Sequence, residues 1–286
     1  MANENVLDLL TQKYKTFTKS GKKLTDYVLA NADEVQYLSI SSLAEESGVA
    51  EATISRFCQT LGFSGYSGFK LALAKAEREI RGGDLSGIWG KVTAEDSVSD
   101  MCRKLYSADV AAITETLDLV DEGAVTRAAR LLLHAPHVYC FGQGGSLIIA
   151  MEAWARFLTV ASQFECVQDS HMQAMTAALA QPDDVFLFVS YSGATRDMMD
   201  VLQIAHQRGA KIILLTHFAK SPGAVYADEV LLCGSKERPL QSGSMAVKMG
   251  LLFLIDILYT EYCRCMPAET EGARNITAAV VADKML

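Results

Sequence analysis

The sequence predicts an α/β fold class in two parts: a small all-α N-terminal domain, then a domain built on a five-stranded parallel sheet. Three observations carry that prediction. From His137 onward, short apolar runs closed by glycine or polar turns alternate with helical patterns, which is how successive βαβ units read. The first eighty residues read as helices, and between Arg81 and Ser97 the glycines 82, 83, 87 and 90 accumulate beside Asp84 and Ser86, a linker composition. Half of the 286 residues are apolar, so a large core can be buried and disorder is not expected.

Val6 to Ala30 reads as one or two helices broken near Ser20-Gly21, with lysines at 13, 15, 19, 22 and 23. Ser42 and Glu45 match a capping box that opens a short helix. Gly48 then makes a tight turn with Val49 packed inside it. A second helix follows, with Ile54, Phe57, Cys58 and Leu61 on its buried side. Helix, glycine turn, helix is the helix-turn-helix pattern. The outward face of the second helix carries Glu51, Ala52, Thr53, Ser55, Arg56 and Gln59, short or hydrogen-bonding side chains suited to base edges and phosphates. Ser42 and Lys70 join them as candidate DNA contacts, and Tyr66 lies just beyond. A plain helical bundle with a glycine turn is the alternative that the motif leaves open.

Helices follow at about 98–119 and 122–133. His137 to Phe141 is the first strand, closed by Gly142-Gln143-Gly144-Gly145-Ser146. The helix after it, 147–160, is apolar nearly all round and reads as buried. Strands at 164–167, 185–189, 211–216 and 229–233 and a long final helix at about 244–262 complete the pattern. The central strand follows a Pro-Asp-Asp turn signal and ends in Ser190-Tyr191-Ser192-Gly193-Ala194-Thr195. Met198, Val201, Leu202 and Ala205 then mark one helix face, which Gly209 stops. A helix N-terminus attracts anions through its unpaired N–H groups and dipole. Ser190, Ser192 and Thr195 add hydroxyl donors, and Gly193 lets the backbone come close. In the strand order 2-1-3-4-5 the loops 142–146 and 190–195 flank one crevice at the switch point. Helix capping would account for one of these hydroxyls but not for three.

Other chemistries fit less well. No lysine sits where a Walker loop needs one, and no Gly-x-Ser-x-Gly elbow occurs. Gly142-x-Gly144 begins a dinucleotide fingerprint, but Leu147 takes the third glycine position, and the acidic residue after strand two is ambiguous between Glu165 and Asp169. Seven cysteines without CxxC spacing read as core residues of a reducing cytosol, with no zinc site. Neither metal nor cofactor is expected. The start lacks a secretory pattern and the longest apolar run near the C-terminus, 249–255, is too short to span a bilayer, so a cytoplasmic protein with no membrane partner is expected. The net charge of −8 is uneven, because residues 1–81 hold ten Lys/Arg and ten Asp/Glu. A neutral domain joined to an acidic one permits specific DNA binding while disfavouring loose adhesion. Glu237, His171 and His217 remain candidate acid–base groups, which keeps a sugar-phosphate isomerase open as the rival. An adaptor whose helical domain grips protein is a third reading.

Residues 43–70, from Leu43-Ala44-Glu45-Glu46-Ser47-Gly48 through Phe69-Lys70, resemble the DNA-binding domain of RpiR-type bacterial transcriptional regulators. Residues from about 126 to 265 resemble the sugar isomerase (SIS) domain of the same regulators, on Gly142–Ser146, Ser190–Thr195, Arg208–Ile213, Ser221-Pro222 and Ala227-Asp228. The resemblance implies a helix-turn-helix domain over 1–80, a linker over 81–97 and a flavodoxin-like SIS domain over 98–286. It implies a homodimer or homotetramer that binds operator DNA and a phosphorylated sugar or amino sugar, and no enzyme activity. Carried over by position, the effector falls to Ser190, Ser192, Gly193 and Thr195, with Gly142, Gly144 and Ser146 on the other wall and Glu237 nearby. Three places depart from the pattern: Ala50 stands at a cap position where Ser is common, Tyr191 and Ala194 vary the phosphate loop, and Met245 replaces a common Arg.

Overall fold

The computed structural model describes residues 5–36, 38–80, 92–235, 244–282 and 284. The chain divides into two compact units. One comprises the residues up to Ala108; the other comprises Asp109–Ser235 and the residues from Met245 on.

The first unit is helical: α1 Val6–Lys13, α2 Lys19–Ala30, α3 Ala32–Val35, α4 Ile40–Ser47, α5 Glu51–Thr60 and α6 Tyr66–Ile80. Val6, Leu10, Leu24, Val28, Leu43, Ile54, Phe57, Phe69 and Leu73 close one core. The predicted break at Ser20-Gly21 is absent, and a 3₁₀ turn at Tyr14–Thr16 separates the first two helices instead. Thr18 caps α2 by accepting from the Gly21 N–H. Gly21 lies inside the helix for packing, since a Cβ there would stand 3.1 Å from the Phe17 Cβ. The cap of α4 is also shifted: Ser39 is the N-cap and accepts from the Ser42 N–H, with the two hydroxyls 2.8 Å apart. Gly48 takes the left-handed turn (φ 61°) and Val49 is buried behind it. Of the predicted linker, residues 81–91 lie outside the described residues. Beyond them, Thr93 and Lys104 both bond the Asp96 carboxylate.

The chain continues with α7 Val98–Asp118 and α8 Glu122–His134, then β1 Val138–Gly142, α9 Gly145–Leu158, β2 Phe164–Cys166, α10 Ser170–Leu179, β3 Val185–Val189, α11 Arg196–Gln207, β4 Lys211–Thr216, β5 Glu229–Leu232, α12 Met245–Cys265 and α13 Pro267–Ala282. The sheet is parallel in the order β2-β1-β3-β4-β5. Side chains alternate across it. Val138, Cys140, Leu187, Ile213 and Leu215 pack with α8, α9 and α12, while Phe141, Phe186, Phe188, Ile212 and Leu214 pack with α10 and α11. Covering both faces is what a parallel sheet requires. Helix α9 is not buried all round, because Ile148 is 60% exposed; helix α13 went unpredicted.

Candidate functional site

The helix pair α4–α5 presents the face expected from the sequence. Ile54, Phe57 and Cys58 are buried, which turns Glu51, Ala52, Arg56 and Gln59 outward and leaves Thr53 and Ser55 half-exposed. The Lys23 ammonium bonds the Gly48 carbonyl at 3.2 Å and so braces the turn. Ala50, the N-cap of α5, makes no side-chain cap bond. Ser42 sits in the first turn of α4, half-buried, with its hydroxyl facing Ser39. Lys70 turns inward: its ammonium bonds the Leu38 carbonyl at 2.8 Å and lies over the Tyr66 ring. Burial pushes its pKa down to about 8. Tyr66 bonds the carbonyls of Val35 and Leu38. These two half-buried side chains therefore tie α6 to the residues just ahead of α4.

In the second unit, β1 and β3 are direct neighbours, with Gly142 opposite Val189 at their carboxyl ends. The loops that follow therefore start side by side. The chain after β1 crosses to β2 through α9 on one face, and the chain after β3 crosses to β4 through α11 on the other. A crevice at this reversal is the expected binding position in such a sheet. Gly142 is buried, and a Cβ on it would lie 2.7 Å from the Ser146 carbonyl, so its role is to let α9 sit down on the strand end. Gly144 (φ 56°) and Gly145 face open space at the helix start, and Ser146 is half-buried in the first turn.

On the opposite wall, the Ser190 hydroxyl is buried and accepts from the Gly193 N–H at 3.2 Å. The half-buried Ser192 hydroxyl accepts from the Ala194 N–H at 3.3 Å. A hydroxyl used as an acceptor keeps its own proton to donate. Thr195 occupies the N-cap of α11 but makes no side-chain cap bond, and it is exposed. Gly193 (φ 57°) is pressed against Ser221, whose Oγ lies 2.1 Å from where a Cβ would be. That Ser221 Oγ is buried without a partner among the described residues. Glu237 lies outside the described residues.

The capping pattern separates two kinds of helix. Asn5, Thr18, Ser39, Ser97, Asp121 and Asp169 each accept from a first-turn N–H. At Ala50, Gly144 and Thr195 no side chain does this. Asn31 ahead of α3 makes no cap bond either, so lack of a cap is not confined to functional places; of the helices without a side-chain cap, α9 and α11 begin at the crevice and α5 carries the exposed face.

Sequence reasoning missed Gln173, which is fully buried in an apolar helix. It accepts from Gln143 at 2.8 Å and donates to the carbonyls of Val167 and Gly142, fixing the loop after β1. Its signal was a lone glutamine among apolar neighbours. Asp228, one of the family marks, serves the fold: it accepts from the Ile212 N–H and pairs with Lys211.

A helix-turn-helix unit followed by a doubly wound sheet with a glycine- and hydroxyl-lined switch point defines a class of two-part regulators. Residues 4–79 match the helix-turn-helix domain of the rpiR family and residues 131–260 match the SIS domain. An uncharacterized HTH-type transcriptional regulator of Haemophilus influenzae is 34% identical over 89% of this chain and 88% of its own. The HTH-type transcriptional regulator HexR of Pseudomonas aeruginosa is 28% identical over 90% of this chain and 88% of its own. Among solved structures, the Vibrio vulnificus NanR protein complexed with ManNAc-6P superposes with a TM-score of 0.88 at 28% identity, covering 98% of this chain and 99% of that one. The chain belongs to the RpiR family of DNA-binding transcriptional regulators, and the isomerase alternative falls away. No helix among the described residues is long and apolar enough to cross a membrane.

Proposed function

We propose that the chain binds operator DNA through the exposed face of α5 and that a phosphorylated sugar or amino sugar, seated between loops 142–146 and 190–195, sets its operator affinity. The observation that carries this reading is the placement of two glycine- and hydroxyl-bearing loops on neighbouring strands where the order reverses, each feeding an uncapped helix. Two helix N-termini and the hydroxyls of Ser146, Ser192 and Thr195 suit a dianionic ester, while Ser190 and Gly193 shape the loop. The phosphosugar held by the Vibrio neighbour supports the same class of ligand. Residues 1–80 are assigned to DNA, 81–97 to a linker and 98–286 to effector binding. A homodimer or homotetramer would set two α5 helices on half-sites about one DNA turn apart or a multiple of it.

Regulation requires the effector to bind the two arrangements unequally, typically by about 1–3 kcal/mol. The test is fluorescence anisotropy of DNA fragments selected by the purified chain, titrated with and without a panel of hexose and N-acetylhexosamine 6-phosphates. A shift in operator affinity with one sugar phosphate, absent with the unphosphorylated sugar, is expected. Operator affinity indifferent to the whole panel would contradict the proposal.

A further inference from the structure

A joint lies beside the crevice. Tyr191 stands between Ser190 and Ser192. Its carbonyl accepts from the His217 N–H and the Thr216 hydroxyl, each at 3.0 Å. Its ring stacks on His217, with centroids 5.1 Å apart. Its hydroxyl donates to the Ser235 carbonyl at 3.2 Å, and His217 Nδ1 lies 2.9 Å from the Cys233 carbonyl. Both aromatic side chains thus end on the backbone just past β5.

Helix α7 clasps the same backbone from the other side. The Gly234 N–H donates to the buried Thr116 hydroxyl at 2.9 Å, and the Ser235 N–H donates to the Glu115 carboxylate at 2.7 Å. A Cβ on Gly234 would stand 2.5 Å from the Glu115 Cβ, and one on Gly250 of α12 would stand 2.7 Å from Thr116 Oγ1, so strand exit and helices meet as closely as backbones can. Ser235 holds φ 75°, a left-handed conformation that residues with a side chain rarely adopt.

We propose that Tyr191 couples the effector loop to α7 through the Ser235 peptide. One residue has its carbonyl held by the loop and its N–H held by the helix. An anion drawn onto Ser192 and Thr195 turns the peptide planes on either side of Tyr191, and the hydroxyl either releases Ser235 or carries it along. A residue at positive φ whose two flanking peptide groups are held from opposite sides can pass a rotation of one to the other, which is the physical link that coupling between sites needs. The inference rests on the crevice taking an anionic effector, and it adds the residue that reports occupancy.

Amide hydrogen exchange on the full chain tests it, with wild type, Tyr191→Phe and Glu115→Ala, each free, with inorganic phosphate, and with N-acetylmannosamine 6-phosphate. Without ligand, Tyr191→Phe is expected to speed exchange at Gly234 and Ser235 by about threefold or more while β3 is unchanged; equal rates would overturn the joint whatever binds in the crevice. With ligand, wild type is expected to change at both 190–195 and 112–118. Each variant should keep the first change and lose the second. A response at 112–118 undiminished in Tyr191→Phe would also overturn the coupling. A wild type in which neither ligand alters 190–195 counts against these anions as occupants of the crevice, and the ligand-free comparison then decides the joint by itself.

Discussion

Helices α4 and α5 are neighbours joined by a single glycine turn, yet one begins under a serine and the other under an alanine. The Ser39 hydroxyl satisfies a first-turn N–H of α4, whereas in α5 no side chain does so and the Ala50 carbonyl takes the Thr53 N–H at 2.8 Å. The same contrast recurs in the sheet unit, where Asp121 and Asp169 cap α8 and α10 while α9 and α11 open without a side-chain cap. Capping is worth about 0.5–2 kcal/mol, so omitting it costs stability. In α5 the Thr53 N–H turns to the Ala50 carbonyl, and in α9 the Ser146 and Leu147 N–H groups turn to Gln143 and Gly144, so the open start of α11 is where the missing cap leaves donors at the crevice. The two regions differ in what they add: α5 adds projecting side chains that can read bases, and α11 adds a loop of hydroxyls suited to a phosphate.

The contrast breaks most severely where backbone packing places the bare ends. Gly142→Ala pushes a Cβ into the Ser146 carbonyl at 2.7 Å, and overpacking of this kind costs about 3 kcal/mol or more. The midpoint of the second unit in thermal unfolding should fall sharply while the first unit keeps its own. An unchanged midpoint would mean that α9 does not rest on the strand end. Next in size, Arg56→Ala should weaken operator binding by about 1–3 kcal/mol in an anisotropy titration and leave sugar-phosphate affinity as it was. Equal DNA affinity would remove Arg56 from the interface.

A smaller effect sharpens the comparison between the paired helices. Ala50→Ser should stabilise the N-terminal unit and Ser39→Ala destabilise it, each by about 1 kcal/mol, read by urea unfolding. Loss of stability on adding the serine would show that the start of α5 has no room for a cap. A separate test is the pH dependence of the inward-facing lysine. Burial holds Lys70 near 8 in the folded chain against its ordinary 10.5. Between those values the unfolded chain keeps a proton the folded chain has released, so this group makes stability rise with pH through that window. Comparison of wild type with Lys70→Met should isolate the rise, and identical pH profiles would contradict the buried placement.

Much of this was legible before any coordinates. Strands 185–189 and 211–216 and the helix face of Met198, Val201, Leu202 and Ala205 were readable because period and burial coincide there. Caps were less legible: Ser39 and Ser42 are three residues apart, and only backbone dihedrals show which stands outside the helix. Gly21 looked like a break because a glycine needed for close packing has the same letter as one needed for a turn. Helix α13 announced itself with Pro267 at its first position and Glu269 in its first turn, but its weak apolar stripe did not stand out. In the site, the hydroxyls and glycines were visible as composition. Gln173 and Tyr191 were not, since their roles depend on partners as distant in sequence as Gly142 and Ser235.

On the function proposed above, the crevice beyond the ends of β1 and β3 holds an anionic ester on the hydroxyls of the 190–195 loop. Isothermal titration of sugar phosphates against wild type and Ser192→Ala tests it most directly. One sugar phosphate should bind wild type and lose about 1.5–3 kcal/mol of affinity in the variant. A sugar phosphate that binds both chains equally well would contradict it.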